Sequence, residues 1–168
     1  MGEAKSYIVL PMPFDGQVHG KRGEVLKHVL PATARDFGRA VIAPDTNPPI
    51  MDALDVLAYR EEILGVVPSG FEPLMTIRLT ELTTPERILE AGKAGAIAAV
   101  YYPRHGQPSA QHSFTPENFF KREDWFAALA EAGMALSIHA EHPMFPLLQR
   151  EQEFLKRFTE INLPLQFP

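Results

Sequence analysis

Four residues with donor or charged side chains stand just beyond apolar runs. His19 and Lys21 lie in PFDGQVHGKRGEVL (13–26), Asp45 in APDTNPP (43–49) and His139 in MALSIHAEH (134–142). Imidazoles are ligands for zinc and other divalent metals, and an ammonium group takes an anion. If these strand ends converge, two histidines from opposite sides of one cleft could share a metal. Each residue also has an ordinary reading. A histidine at a strand end can simply bond to neighbouring backbone, and an aspartate before TNPP is a good turn former. His28, His105 and His112 read as surface histidines, and His142, next to Pro143, is expected to face solvent.

Positioning such residues requires strands that end on one side of a sheet. Apolar runs of strand length alternate with helix-period segments along the chain. SYIVLPM (6–12), RAVIAP (39–44), EPLMTIRLT (72–80), AGAIAAVYY (94–102) and MALSIHAEH (134–142) read as five strands, and LPLQFP (163–168) as the start of a sixth. Helices are expected over 24–38, 52–65, 85–92, 124–132 and 146–161. Pro31 should kink or break the first. Ala53, Val56, Leu57, Ile63 and Leu64 should form the inner face of the second. Thr84-Pro85-Glu86 supplies a cap, a first-turn proline and a first-turn acid for the third. PRHGQPSAQHSFTPEN (103–118) reads as a long loop.

Strand–helix alternation of this kind gives an α/β fold with a parallel sheet joined by right-handed crossovers. Functional groups then gather at the carboxyl ends of the strands. In chain order those ends offer Asp15, Gln17 and His19, then Asp45 and Asn47, Arg78, Tyr101 and Tyr102, and His139, Glu141 and His142. A closed eight-stranded barrel takes about 250 residues. The 168 residues here predict one domain, residues 1–168, forming an incomplete (β/α) barrel-like sheet of five to six strands with flanking helices.

Composition narrows the function classes. The chain has no cysteine, which excludes thiolate metal sites and suits a reducing cytoplasm. A net charge of −5 and the lack of a basic block argue against nucleic acid as a partner. No apolar run reaches the roughly 18 residues of a membrane helix, so no membrane association is expected. Neither GxGxxG nor GxxxxGK[ST] occurs after a strand, which leaves a phosphate-cradling role without support.

In order and spacing, GEVLKHVLPATARDFGRAVIAPDTNPPI, LAYREEIL, PLMTIRLT, AAVYYP and MALSIHAEH resemble dihydroorotases of the free-standing, metal-dependent class in the amidohydrolase superfamily. The resemblance covers the N-terminal half to two-thirds of that family's barrel. In the family the first strand ends in His-x-His-x-Arg, whose histidines hold a metal and whose arginine takes the substrate carboxylate. The matching residues here are Gln17, His19 and Lys21. Asp45 stands where the family has a substrate-binding asparagine, and Val100 where a carbamylated lysine bridges two metals. His139 matches the family's fifth-strand metal histidine. The sixth-strand histidine and the eighth-strand catalytic aspartate would fall beyond Pro168.

The resemblance therefore implies a degenerate site: His19 and His139 as metal residues, Lys21 and Asp45 as substrate-binding residues, and no catalytic residue. The cofactor expectation is one weakly held zinc or other divalent ion, or none, because glutamine is a poorer zinc ligand than imidazole. Lys21 keeps a charge but loses the two-pronged fork with which arginine orients a carboxylate. One functional reading is a protein without dihydroorotase activity that acts as a binding or assembly module. The other is a metal-dependent cyclic amidohydrolase that works with a single metal, or as part of a split or oligomeric assembly. An open sheet edge leads us to expect a homo-oligomer or a partner chain covering it, with a small molecule as a further ligand.

Overall fold

The computed structural model describes residues 11–103 and 115–161. Five strands form one sheet: β1 (Phe14–Val18), β2 (Arg39–Ile42), β3 (Glu72–Leu79), β4 (Ala96–Tyr101) and β5 (Ala135–Ile138). Their order is β1-β2-β3-β4-β5, every neighbouring pair is parallel, and the sheet curls into a half-barrel. Sequential order with parallel pairing is what repeated right-handed crossovers on one side of a sheet produce. The incomplete barrel expected from the sequence is thus the observed fold.

The helices are α1 (Glu24–Asp36), α2 (Ala53–Leu64), α3 (Pro85–Lys93), α4 (Pro116–Phe119), α5 (Glu123–Glu131) and α6 (Arg150–Thr159), the last preceded by a 3-10 turn at Leu147–Gln149. Their starts follow the local chemistry. Asp52 accepts from the Leu54 and Asp55 amides, and Thr84 accepts from the Arg87 amide ahead of Pro85 at the first helical turn. Helix-side positions of the strands, Ile42, Met75, Ile77, Leu79, Ala99 and Tyr101, pack on Leu30, Tyr59, Ile88, Trp125 and Phe154. An aromatic cluster closes the β4–β5 end. Tyr101 and Phe119 stack with centroids 4.0 Å apart, and Phe126 meets Phe119 edge-on at 5.4 Å.

Several expectations are corrected. The first strand is Phe14–Val18, so Asp15 and Gln17 lie within it; of the segment 6–12, residues 11 and 12 are not strand and the rest lie outside the described residues. The sixth strand expected at 163–168 also lies outside them. Helix α1 runs unbroken through Pro31. Leu57 and Leu64 are exposed, and Tyr59 takes the buried place on α2 beside Val56 and Ile63. Gly92 sits inside α3, which ends at Lys93. Within the expected loop 103–118, Thr115 accepts from the Asn118 amide and caps the short helix α4. His142 is buried, at 1% exposure.

Candidate functional site

Side chains alternate across each strand, so residues that do not face the helices line the hollow of the half-barrel. On β3 these are Thr76 and Arg78, and on β4 Ala98 and Val100, with Arg78 paired in register to Val100. The hollow is fixed at several points. The Thr76 hydroxyl donates to the Ile42 carbonyl at 2.6 Å. The Ala43 amide donates to the Val18 carbonyl at 2.9 Å, and the Arg78 amide donates to the Ile50 carbonyl at 2.7 Å. These bonds hold both ends of the loop that carries Asp45.

Asp45 joins two of the residues singled out in the sequence. His19 Nδ1 lies 2.8 Å from Asp45 Oδ1, and Lys21 Nζ donates to Oδ2 at 3.0 Å. Lys21 Nζ also donates to the Asp45 carbonyl at 3.3 Å. One carboxylate therefore engages both His19 and Lys21. The carboxylate is the more sheltered partner, at 18% side-chain exposure against 48% for His19 and 47% for Lys21.

The turn that presents Lys21 is anchored from below. Lys21 has a positive φ of 56°, an uncommon backbone state for a residue with a side chain. The buried Tyr59 hydroxyl donates to the Lys21 carbonyl. Glu62 accepts from Arg22 Nη1 at 2.9 Å and from the Gly23 amide at 3.2 Å, and Arg22 lies over the Tyr59 ring, 4.9 Å from its centroid. Gly20 is buried there: a Cβ at this position would come within 2.5 Å of Leu30 Cδ2 and 2.7 Å of Tyr59 Oη. Tyr59 and Glu62 were not singled out in the sequence, because both act from about forty residues away.

The fifth strand end is a separate cluster. The His139 amide donates to the Tyr101 carbonyl at 3.0 Å, a main-chain bond beside the β4–β5 pairing. Its Nε2 lies 3.5 Å from Glu141 Oε2, and its ring centroid is 6.1 Å from that of Tyr102. Arg78, only 2% exposed, places its guanidinium over the Tyr102 ring at 5.1 Å. Burial lowers the Arg78 pKa and pushes the Tyr102 phenol up to about 12. A cleft of about 380 Å³ opens beside His139, lined also by Glu141, Leu147 and Arg150. The neighbouring His142 ring meets Phe145 edge-on at 4.8 Å, with Nε2 3.0 Å from Glu117 Oε1.

These donors do not make a metal centre by number. Among the described residues no group of three or more His, Cys, Asp or Glu side chains is arranged to hold an ion. His19 is engaged by Asp45, His139 lies near Glu141, and the hollow beside Arg78 is lined by Val100, which offers no donor. The donor set here does not fit the binuclear site of the family that the sequence resembles. Asp45 on Nδ1 does leave His19 Nε2 directed elsewhere, the pose in which carboxylates orient metal-binding histidines. His28 is exposed, as expected, while His105 and His112 lie outside the described residues.

No family model matches the chain. Its sequence is 39% identical to a dihydroorotase of Marinobacter nauticus over 154 residues, covering 89% of this chain and 44% of that protein. A dihydroorotase of Synechocystis is 34% identical over 166 residues, covering 96% and 48% respectively. Among solved structures, dihydroorotase from Saccharomyces cerevisiae in complex with 5-fluoroorotic acid superposes with a TM-score of 0.83 at 24% identity, over 91% of this chain and 45% of that one. An L-hydantoinase from Arthrobacter aurescens shares the fold, with a TM-score of 0.72 at 14% identity, over 90% and 39%. No described helix is long and apolar enough to cross a membrane. In sequence and in fold the chain is dihydroorotase-like, and it spans less than half the length of the dihydroorotases it matches.

Proposed function

We propose that this chain has no dihydroorotase activity and serves as a binding or assembly module built on a dihydroorotase-like half-barrel. One observation carries the reading: Asp45 occupies both His19 and Lys21. Lys21 stands where the resemblance puts the group that takes a substrate carboxylate. Its ammonium is already neutralised by an internal carboxylate, so an incoming carboxylate must displace Asp45 and meet its charge. Val100 and Gln17, where the resemblance places a lysine and a histidine, weaken the metal side of the site in the same direction. Activation of water needs a metal or a positioned base, and His19 and His139 are not gathered with a third donor. The cysteine-free composition is in keeping with the cytoplasmic setting expected for such a module.

The second reading is an amidohydrolase completed by other strands, with His19 Nε2 and His139 contributing to one metal. The Nδ1 bond from His19 to Asp45 is the observation in its favour. The test is turnover of dihydroorotate by the purified chain with and without added zinc or manganese, alongside His19→Ala and His139→Ala. We expect no turnover above that of the two variants. Metal-dependent turnover lost in both variants would overturn the proposal and establish the second reading.

A further inference from the structure

A permanent positive charge stands inside the hollow of the half-barrel. Arg78 faces it from β3, its register partner on β4 is Val100, and only 2% of the residue is exposed. A guanidinium keeps its proton in a protein, so the charge is present at every working pH. It is also fixed in place. The Arg78 amide donates to the Ile50 carbonyl at 2.7 Å, and the guanidinium lies over the Tyr102 ring, 5.1 Å from its centroid.

This charge lies close to both histidines that could hold a metal. The His139 ring is 6.1 Å from the same Tyr102 ring, centroid to centroid, so one phenol neighbours both the guanidinium and the imidazole. Asp45, whose carboxylate engages His19 at 2.8 Å, is near enough to attract Arg78 and to hold back ionisation of Tyr102. Lys21 brings a second cation to that carboxylate at 3.0 Å. A divalent ion shared by His19 and His139 would therefore enter a hollow that already contains positive charge. A unit charge about 8 Å from a divalent one weakens its binding by about fivefold in water, and by more in the lower dielectric of a protein.

We infer that Arg78 decides which ions this hollow accepts: its buried guanidinium supplies the positive charge that a metal would bring and keeps divalent cations off His19 and His139. This deepens the proposed function and rests on it, since a hollow that refuses the ion cannot activate water through one.

Zinc titration of the full chain against a chromogenic chelator tests this, with circular dichroism to show that each variant is folded. The quantity read is strand-end zinc, the zinc bound per chain that is lost in His19→Ala or in His139→Ala. The parent chain should take up none. Arg78→Met keeps an unbranched apolar stem against Tyr102 and removes the charge, and it should bind strand-end zinc at least about fivefold more tightly than the limit set by the parent. Arg78→Gln repeats the test with a polar end in the hollow. Arg78→Lys, which keeps the charge and loses the planar fork, should behave as the parent does. Strand-end zinc in the parent would overturn the inference. So would folded Arg78→Met and Arg78→Gln proteins that gain none, or an Arg78→Lys protein that gains as much as they do. Turnover separates the two readings. Strand-end zinc without hydrolysis of dihydroorotate overturns this inference alone, and hydrolysis by a chain without strand-end zinc overturns the proposed function alone.

Discussion

Removing one oxygen from the anchor beneath Lys21 has consequences that follow from the packing. In Tyr59→Phe the ring stays buried under Arg22, so neither cavity nor stacking changes. What is lost is the hydroxyl that donates to the Lys21 carbonyl. Losing this part-buried hydrogen bond costs about 0.5–1.5 kcal/mol, which is about 1–6 °C in Tm for a chain of this size. Gly20→Ala is destabilising for a different reason. Its new methyl would stand 2.5 Å from Leu30 Cδ2 and 2.7 Å from that same hydroxyl, and overpacking of this kind costs about 1–3 kcal/mol. The two changes share the Tyr59 oxygen, so Gly20→Ala must cost less in a Tyr59→Phe background. Urea denaturation of the four proteins, with unchanged m-values, closes the cycle. A coupling smaller than about 0.5 kcal/mol, which is simple additivity, would refute this account of the turn.

Two further outcomes are expected. Phe119→Ala, which removes the ring stacked at 4.0 Å on Tyr101 and edge-on to Phe126, should cost about 3–5 kcal/mol in the same denaturation assay. The Arg122 guanidinium donates to Asp124 at 2.8 and 2.7 Å and holds that carboxyl below its ordinary value of 3.8. The unfolded chain therefore takes up the proton first: this contribution is whole above pH 3.8 and disappears as pH falls towards the lowered native value. Denaturation between pH 5 and about 2 should show a shallower acid-side loss in Asp124→Asn than in the parent.

The sequence carried the sheet more openly than the site. Strand–helix alternation is a local signal, and β2, β3 and β4 lie where their apolar runs place them. Asp45, by contrast, reaches residues 26 and 24 positions away, a relation no periodicity encodes. Leu57 and Leu64 follow the helical pattern yet face outward, because Tyr59 fills the buried position above Gly20. The start of α4 was within reach. Thr115-Pro116-Glu117 repeats Thr84-Pro85-Glu86, and the same cap chemistry starts a helix at both places. Adjacency to Pro143 points His142 towards solvent, whereas its burial depends on Phe145 and Glu117, which the sequence does not place beside it.

The order of the strands also bears on how the chain reaches this state. Each strand pairs with the one that precedes it, as in Phe14 with Arg39, Arg39 with Glu72, Met75 with Ala96 and Ala98 with Ala135. Every pairing closes a loop of one strand–helix unit, so the sheet grows by short steps and its contact order stays low for a parallel architecture. Assembly from a ribosome would meet each partner already made, with α1 and α2 in place to cover the hydrophobic side before β4 emerges.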